Sequence, residues 1–389
     1  MRYDVVIIGA GASGLMCALT VASRGRQVLL IDHRRAFGQK ILASGGGRCN
    51  FTNLDMHAGA YISGNSHFVK SALARFTPID MTEMLKAHRI AYCEKSPGQL
   101  FLRGSSKQLL DMLVGEATRL GVRFAFGEVS SVSKGRGFIV EGLFGKVESE
   151  KLVVATGGLS YPALGASDLG YRIAEQFGHA IVPTRPGLVP LMLSSSDRSH
   201  FAPLSGISFR AKVSLGRAPI EDDCLITHKG LSGPAILRIS SRWAKGETLA
   251  FDLLPTVDIL SELQMGRESG SRKELRTVLS RYLPERLARM LCKSYLPSKP
   301  LCMCTPNDLN AIVRTLKSFE LVPHGTEGYA KAEVTVGGVA THEFSSKTLE
   351  SKLCPGLHCT GEVLDVTGDL GGYNLHWAWA SGTAAGVSV

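Results

Sequence analysis

Residues Tyr3-Asp4-Val5-Val6-Ile7-Ile8 form a short apolar run rich in β-branched side chains, long enough for a buried strand and too short to span a membrane. The run enters Gly9-Ala10-Gly11-Ala12-Ser13-Gly14 and then a helical pattern with Leu15, Ala18, Leu19 and Ala22 on one face, closed at Gly25. A second strand, Gln27 to Ile31, stops at Asp32. Further on, helical periodicity marks Phe68–Phe76, Met81–His88 and Lys107–Leu120, the last capped by Ser105 or Ser106 and ended by Gly121. Three short strands, Val129–Val132, Phe138–Leu143 and Lys146–Ser149, read as a meander, and a separate strand, Lys151–Thr156, ends in Gly157-Gly158.

From about Pro190 short alternating strands dominate to Leu254, among them Ala211–Leu215 and Thr248–Leu253, around a sharp loop, Thr227 to Pro234. Residues 255–318 then read as helices broken near Pro284, Pro297, Pro300 and Pro306. Strand-like segments return at Lys331–Val336 and His358–Thr360, and a small-residue helix after Gly371-Gly372 runs to Gly386. The order suits one doubly wound α/β domain interrupted by an insertion.

The first 32 residues fit a dinucleotide. Gly9 permits the strand-to-helix turn, Gly11 admits a pyrophosphate to the backbone, and Gly14 lets helix and strand pack closely. The helix N-terminus offers N–H groups and a partial positive charge, and Asp32 ends the second strand where a carboxylate can meet ribose hydroxyls. Past it, Gly45-Gly46-Gly47 favour neither helix nor strand, and Lys40 and Arg48 bracket them with positive charge suited to phosphates or an electron-rich ring.

Length and composition narrow the field. The 389 residues exceed one compact core, and 44% hydrophobic with 20% charged residues describes an ordinary globular chain. The N-terminal apolar run lacks a basic leader and reads as a nucleotide-binding strand rather than a signal peptide. Nine scattered cysteines point to free thiols in a reducing cytoplasm, and Cys302-Met303-Cys304, with no histidine nearby, reads as buried small hydrophobes rather than a metal site. The net charge of +10 is concentrated between Arg267 and Lys299, with Arg272, Lys273, Arg276 and Arg281 at its centre. Such a stripe is either a polyanion-binding face or a solvated helical surface.

Taken together, the glycine fingerprint, Gly45-Gly46-Gly47-Arg48-Cys49-Asn50-Phe51-Thr52-Asn53, Ala155-Thr156-Gly157-Gly158, Thr227-His228-Lys229-Gly230-Leu231-Ser232-Gly233-Pro234 and Gly361-Glu362 through Leu375 resemble the BaiN/RdsA family of FAD-dependent oxidoreductases. Connecting segments such as Glu94–Phe101 look like its enterobacterial RdsA branch. The resemblance implies a glutathione-reductase-like FAD-binding Rossmann domain (1–190 and 319–389) with an inserted β-barrel (191–254) and a basic helical insert (255–318). It implies that Gly9, Gly11, Ala12, Ser13 and Gly14 hold the pyrophosphate, Asp32 the ribose, and Val129 the adenine. Ala155, Thr156 and Gly157 would border the nucleotide, and Gly361, Glu362 and Asp365 would reach the ribityl and pyrophosphate region. Gly372, Tyr373, Asn374 and Leu375 would line the isoalloxazine, with the run from Gly45, Gly46, Gly47 and Arg48 to Asn50 along its other edge, and Lys40 would contact the cofactor. Gly165-Ala166-Ser167-Asp168-Leu169-Gly170 departs from the family's glycine-acid-glycine run, so Asp168 takes no cofactor role.

With one dinucleotide fingerprint, NAD(P)H as electron donor would visit the flavin transiently. Candidate proton donors are Cys49 beside the triple glycine, His228 at its loop tip and His376 after the flavin-lining run; each is equally suited to a packing or scaffold role. Three functions follow. The RdsA branch implies reduction of a uridine of large-subunit ribosomal RNA to dihydrouridine, and the basic insert independently suits a phosphate-rich substrate. The BaiN branch implies a small-molecule ene-reductase for unsaturated steroid-like acids. The third is a flavin-bearing RNA-binding or ribosome-assembly factor.

Overall fold

A parallel sheet carries the first of two units. The computed structural model describes residues 2–216, 218–297 and 299–389. One unit comprises the chain to Arg185 together with Val334–Val389, and the other is Pro186–Glu333.

In the first unit β1 (Arg2–Ile8) pairs in parallel with β2 (Val28–Asp32) on one side and with Gly145–Val154 on the other. Arg123–Phe126 extends the sheet beyond β2, and Leu357–Cys359 beyond Gly145–Val154, both parallel. Val5, Val6, Ile7 and Ile8 are buried on both faces, as a central strand of a parallel sheet requires. Each such side chain contributes roughly 1.5–3 kcal/mol of burial. Helix α1 (Ala12–Ser23) follows β1 directly, with Gly25 left-handed (φ 77°) just beyond its end.

The C-terminal helix, Tyr373–Ser388, lies against α1 at very close range. A Cβ on Gly382 would stand 2.4 Å from Ser13 O, and one on Gly386 2.6 Å from Thr20 Cβ. Small residues on that face let the two backbones meet. Trp377 and Trp379, fully buried, are fixed by indole N–H bonds to Gly361 O (3.1 Å) and Phe51 O (2.9 Å).

Several segments differ from expectation. Lys146–Ser149 and Lys151–Thr156 are one strand, Gly145–Val154. Its first half pairs antiparallel with Phe138–Gly142 and its second half in parallel with Leu357–Cys359, so it changes partner without a break. The polar alternation of Glu148 to Lys151 interrupts the apolar pattern but not the strand, since Glu148 and Ser149 pair with Arg2 and Tyr3 on one side and with Ile139 and Phe138 on the other. The strand expected at Lys331–Val336 is Val334–Val339. In the triplet 302–304, Cys302 is exposed and Met303 is 66% exposed; only Cys304 is buried.

The second unit holds one antiparallel path of seven strands. Its order is Phe319–Leu321, Leu249–Asp252, Ser208–Leu215, Ala218–Ile226, Gly230–Ser232, Leu191–Met192, Gly325–Thr326. The segments expected as a barrel and as a separate helical insert share one hydrophobic core. Phe209, Val213 and Phe251 from strands pack in it with Leu263, Leu279, Leu287 and Ile312 from helices.

Candidate functional site

Every strand of the parallel sheet ends at the same edge, and most of the expected cofactor residues follow those ends. Gly9 N–H donates to Ile31 O (2.8 Å) and Ala155 N–H to Ile8 O (2.8 Å), which joins the ends of β2, β1 and Gly145–Val154. The crevice at the carboxyl ends of such a sheet is where ligands bind.

The glycines there divide by function. A Cβ on Gly9 (φ 109°) would fall 2.3 Å from Ala155 O, and one on Gly14 1.8 Å from Gly9 O, so packing alone demands both. Gly11, Gly46 and Gly47 have nothing within 4 Å of a built Cβ, and Gly157 has only Glu362 Oε2 at 3.8 Å. The protein itself does not need glycine at Gly11; a ligand lying on the backbone would. Gly11 caps α1 without a side-chain hydrogen bond, and Ala12, Ser13 and Gly14 form the helix's first turn. Its backbone N–H groups are thus free of side-chain capping, an arrangement suited to an anion. The residues present therefore fit a dinucleotide.

Asp32, largely buried, accepts from Ala10 N–H (2.7 Å) and Arg34 N–H (2.9 Å). These bonds tie the glycine loop to β2 and leave carboxylate lone pairs for ribose hydroxyls. Gly127 N–H donates to Asp32 O (2.9 Å), which brings Val129 to the same end of the sheet.

At the other side of the crevice lies a charged cluster only partly foreseen. Lys40 Nζ donates to Glu362 Oε2 and to Ser160 Oγ, both at 2.7 Å. Glu362 Oε1 also accepts from Ser160 Oγ (3.0 Å) and Thr335 N–H (2.8 Å). Burial works to raise the Glu362 carboxyl, but the Lys40 ammonium and these donors outweigh it and hold it below the usual range. Ser160 and Thr335 were not anticipated; Ser160 follows the Gly157-Gly158 turn, whereas Thr335 carries no motif. Asp365, buried, has its carboxyl raised by burial, opposed by Gly64 N–H at 2.8 Å.

Gly372 (φ 96°) starts the C-terminal helix, again without a side-chain cap, and a Cβ there would lie 2.5 Å from Thr52 O and 2.9 Å from Asn50 Oδ1. Asn374 exchanges two hydrogen bonds with Gly368, at 2.8 Å each, while Tyr373 O accepts from Tyr61 Oη (2.9 Å). Leu375 packs against the core. The turn before it is held by Asn53, which donates to Gly371 O (2.8 Å).

Gly45, Gly46, Gly47 and Cys49 are all left-handed, with φ of 57°, 65°, 84° and 45°. For Cys49 this is a strained conformation. Its thiol is sealed at 0% exposure, and burial pushes it up to about 12 despite a hydrogen bond with Ser44. Arg48, beside it, is exposed. His376 is also fully buried: Nε2–H donates to Phe76 O (3.0 Å) and Nδ1 accepts from Thr52 Oγ1 (2.8 Å). Burial lowers it to about 4, so it is neutral and both nitrogens are committed to scaffold. Asp168 pairs with Arg172 on the surface, at 3.0 Å.

His228 belongs to the second unit, exposed at its loop tip beside Lys229, which pairs with Glu327 (3.1 Å). The basic residues there are exposed but unequal. Arg281 pairs with Glu262, and Arg276 stands 4.0 Å from Glu274. Arg272 and Lys273 have no ion pair among the described residues.

The family model described as the HI0933-like protein Rossmann domain matches residues 3–388. The chain is 47% identical to a ribosomal RNA dihydrouridine synthase of Escherichia coli (strain K12), over 98% of this chain and 97% of that protein. It is 32% identical to a 3-dehydro-bile acid delta(4,6)-reductase of Clostridium scindens, over 98% and 97% respectively. In fold it is similar to a chain of the Mycobacterium smegmatis Sdh1 complex in the apo form, with a TM-score of 0.50, 15% identity, and coverage of 100% of this chain and 68% of that one. The resemblance read from the motifs is borne out: the chain belongs to the HI0933-like Rossmann family of oxidoreductases, and its parallel sheet is a Rossmann-type FAD-binding domain.

Proposed function

We propose that this protein is an FAD-dependent reductase that converts a uridine of large-subunit ribosomal RNA to dihydrouridine, in a reducing cytoplasm, with NAD(P)H as transient electron donor. The observation that carries the reading is the 47% identity to the ribosomal RNA dihydrouridine synthase across nearly the whole of both chains, with the cofactor crevice intact.

FAD, when bound, supplies hydride to one carbon of a polarised double bond. Gly11 and the first turn of α1 would hold the pyrophosphate, and Asp32 the adenosine ribose. Glu362 and Asp365 would face the ribityl region, and Gly372 to Leu375 would present a helix N-terminus to the ring, favouring negative charge there. The chain must deliver one proton to the other carbon of the base. Cys49 holds its proton at neutral pH but is sealed from solvent, and His376 is committed to Thr52 and Phe76. His228, exposed at its loop tip, is the remaining one of the three candidates. Arg272 and Lys273 would meet phosphates, and the target base would have to be unpaired or flipped.

Mass-spectrometric mapping of ribosomal RNA from a deletion strain tests this. Loss of one dihydrouridine, restored by the wild-type gene, is the expected result; an unchanged modification map contradicts it. A second reading, reduction of an unsaturated steroid-like acid, is supported by the relative at 32% identity. An unchanged map together with turnover of such an acid would favour it.

A further inference from the structure

We propose that Lys40 is a fixed cation against the ring end of the bound flavin and, with Glu362, sets the cofactor's reduction potential; this rests on the FAD reading above. The order of strands along the sheet gives the direction of the ligand. Asp32 and Gly127 stand at the ends of β2 and Arg123–Phe126, and the first turn of α1 follows β1 at the centre. A dinucleotide with its adenosine over Asp32 and its pyrophosphate on α1 must extend over the ends of Gly145–Val154 and Leu357–Cys359. Ser160 and Glu362 follow those two strands, and Lys40 is bonded to both.

A lysine side chain is long and flexible, and in solution it presents no fixed charge to anything. Here two of its three N–H donors are taken at 2.7 Å, and the side chain is still 33% exposed. The third donor remains for a ligand. Glu362 is in turn held by Ser160 and Thr335 N–H, so the pair cannot swing away. The ring gains negative charge on reduction. A cation fixed beside it therefore favours the reduced form, and a carboxylate one bond behind opposes that effect.

The test is the equilibrium reduction potential of the flavin in purified wild-type protein, Lys40→Met, Lys40→Arg and Glu362→Gln, each with flavin content measured. Lys40→Met is expected to lower the two-electron reduction constant at least tenfold, about 30 mV, and Glu362→Gln to raise it, while Lys40→Arg stays near wild type. A merely structural ion pair would not give shifts of opposite sign. Unchanged potentials at full flavin content, or shifts in the same direction, overturn the proposal. Should Lys40→Met purify without flavin, the sign of the shift in Glu362→Gln against Lys40→Arg decides. Wild-type protein without FAD would instead remove the cofactor reading itself.

Discussion

Glycines of the same fingerprint differ in what they serve. A Cβ on Gly14 would overlap Gly9 O at 1.8 Å, whereas one on Gly11 meets nothing within 4 Å. Gly11→Ala is therefore expected to fold with a near-wild-type melting temperature and to purify with little or no FAD; Gly14→Ala should fail to fold. A fully yellow Gly11→Ala protein would remove the pyrophosphate from that turn. Sequence spacing marked both glycines but not that only Gly14 is demanded by packing, because that depends on what lies beyond each Cβ. His376 shows the same limit. Its position after the flavin-lining run suggested chemistry, yet tertiary burial commits it to Thr52 and Phe76. Its native value of about 4 against an ordinary 6.5 makes stability that is present above pH 6.5 fall as the pH drops toward 4. In that window the unfolded chain binds a proton that the native one does not. The loss is about 3 kcal/mol at most. His376→Gln should flatten the acid limb of a stability-against-pH curve, and an unchanged slope would contradict the neutral buried state.

At the scale of elements, the first strand, helix and second strand were legible because their apolar period, glycines and Asp32 agree. Gly145–Val154 was not, because its partner changes halfway from an antiparallel to a parallel neighbour, and no local pattern encodes a partner 200 residues away. The basic stripe was legible as composition, but its pairing was not. Glu262 comes from the helix Ile259–Glu268 to meet Arg281 in a turn, while Arg272 and Lys273 stay exposed and unpaired among the described residues. Replacing Arg272 and Lys273 with Gln should weaken RNA binding and lower the slope of log affinity against log salt by about 1 to 2. Replacing Arg276 and Arg281 should do less. Equal effects of the two double variants would show that the carboxylates do not shield their partners.

For the whole molecule, the motifs read together were enough to expect the Rossmann-type fold and the family. The shared core of strands and helices in Pro186–Glu333 was not, since the sequence shows a change of pattern near residue 255 and no sign that both sides pack together. Cys49→Ala is expected to leave oxidation of the reduced enzyme by substrate near normal, because the thiol is sealed; His228→Ala should slow it about a hundredfold or more at full flavin content. The reverse pattern would return the role to Cys49. The most direct measurement is a single turnover: photoreduced, FAD-loaded protein mixed anaerobically with ribosomal RNA from the deletion strain. Reoxidation of one flavin per RNA, with a gain of two hydrogens at one uridine, is the expected result. Flavin that stays reduced, with RNA of unchanged mass, would contradict the central claim.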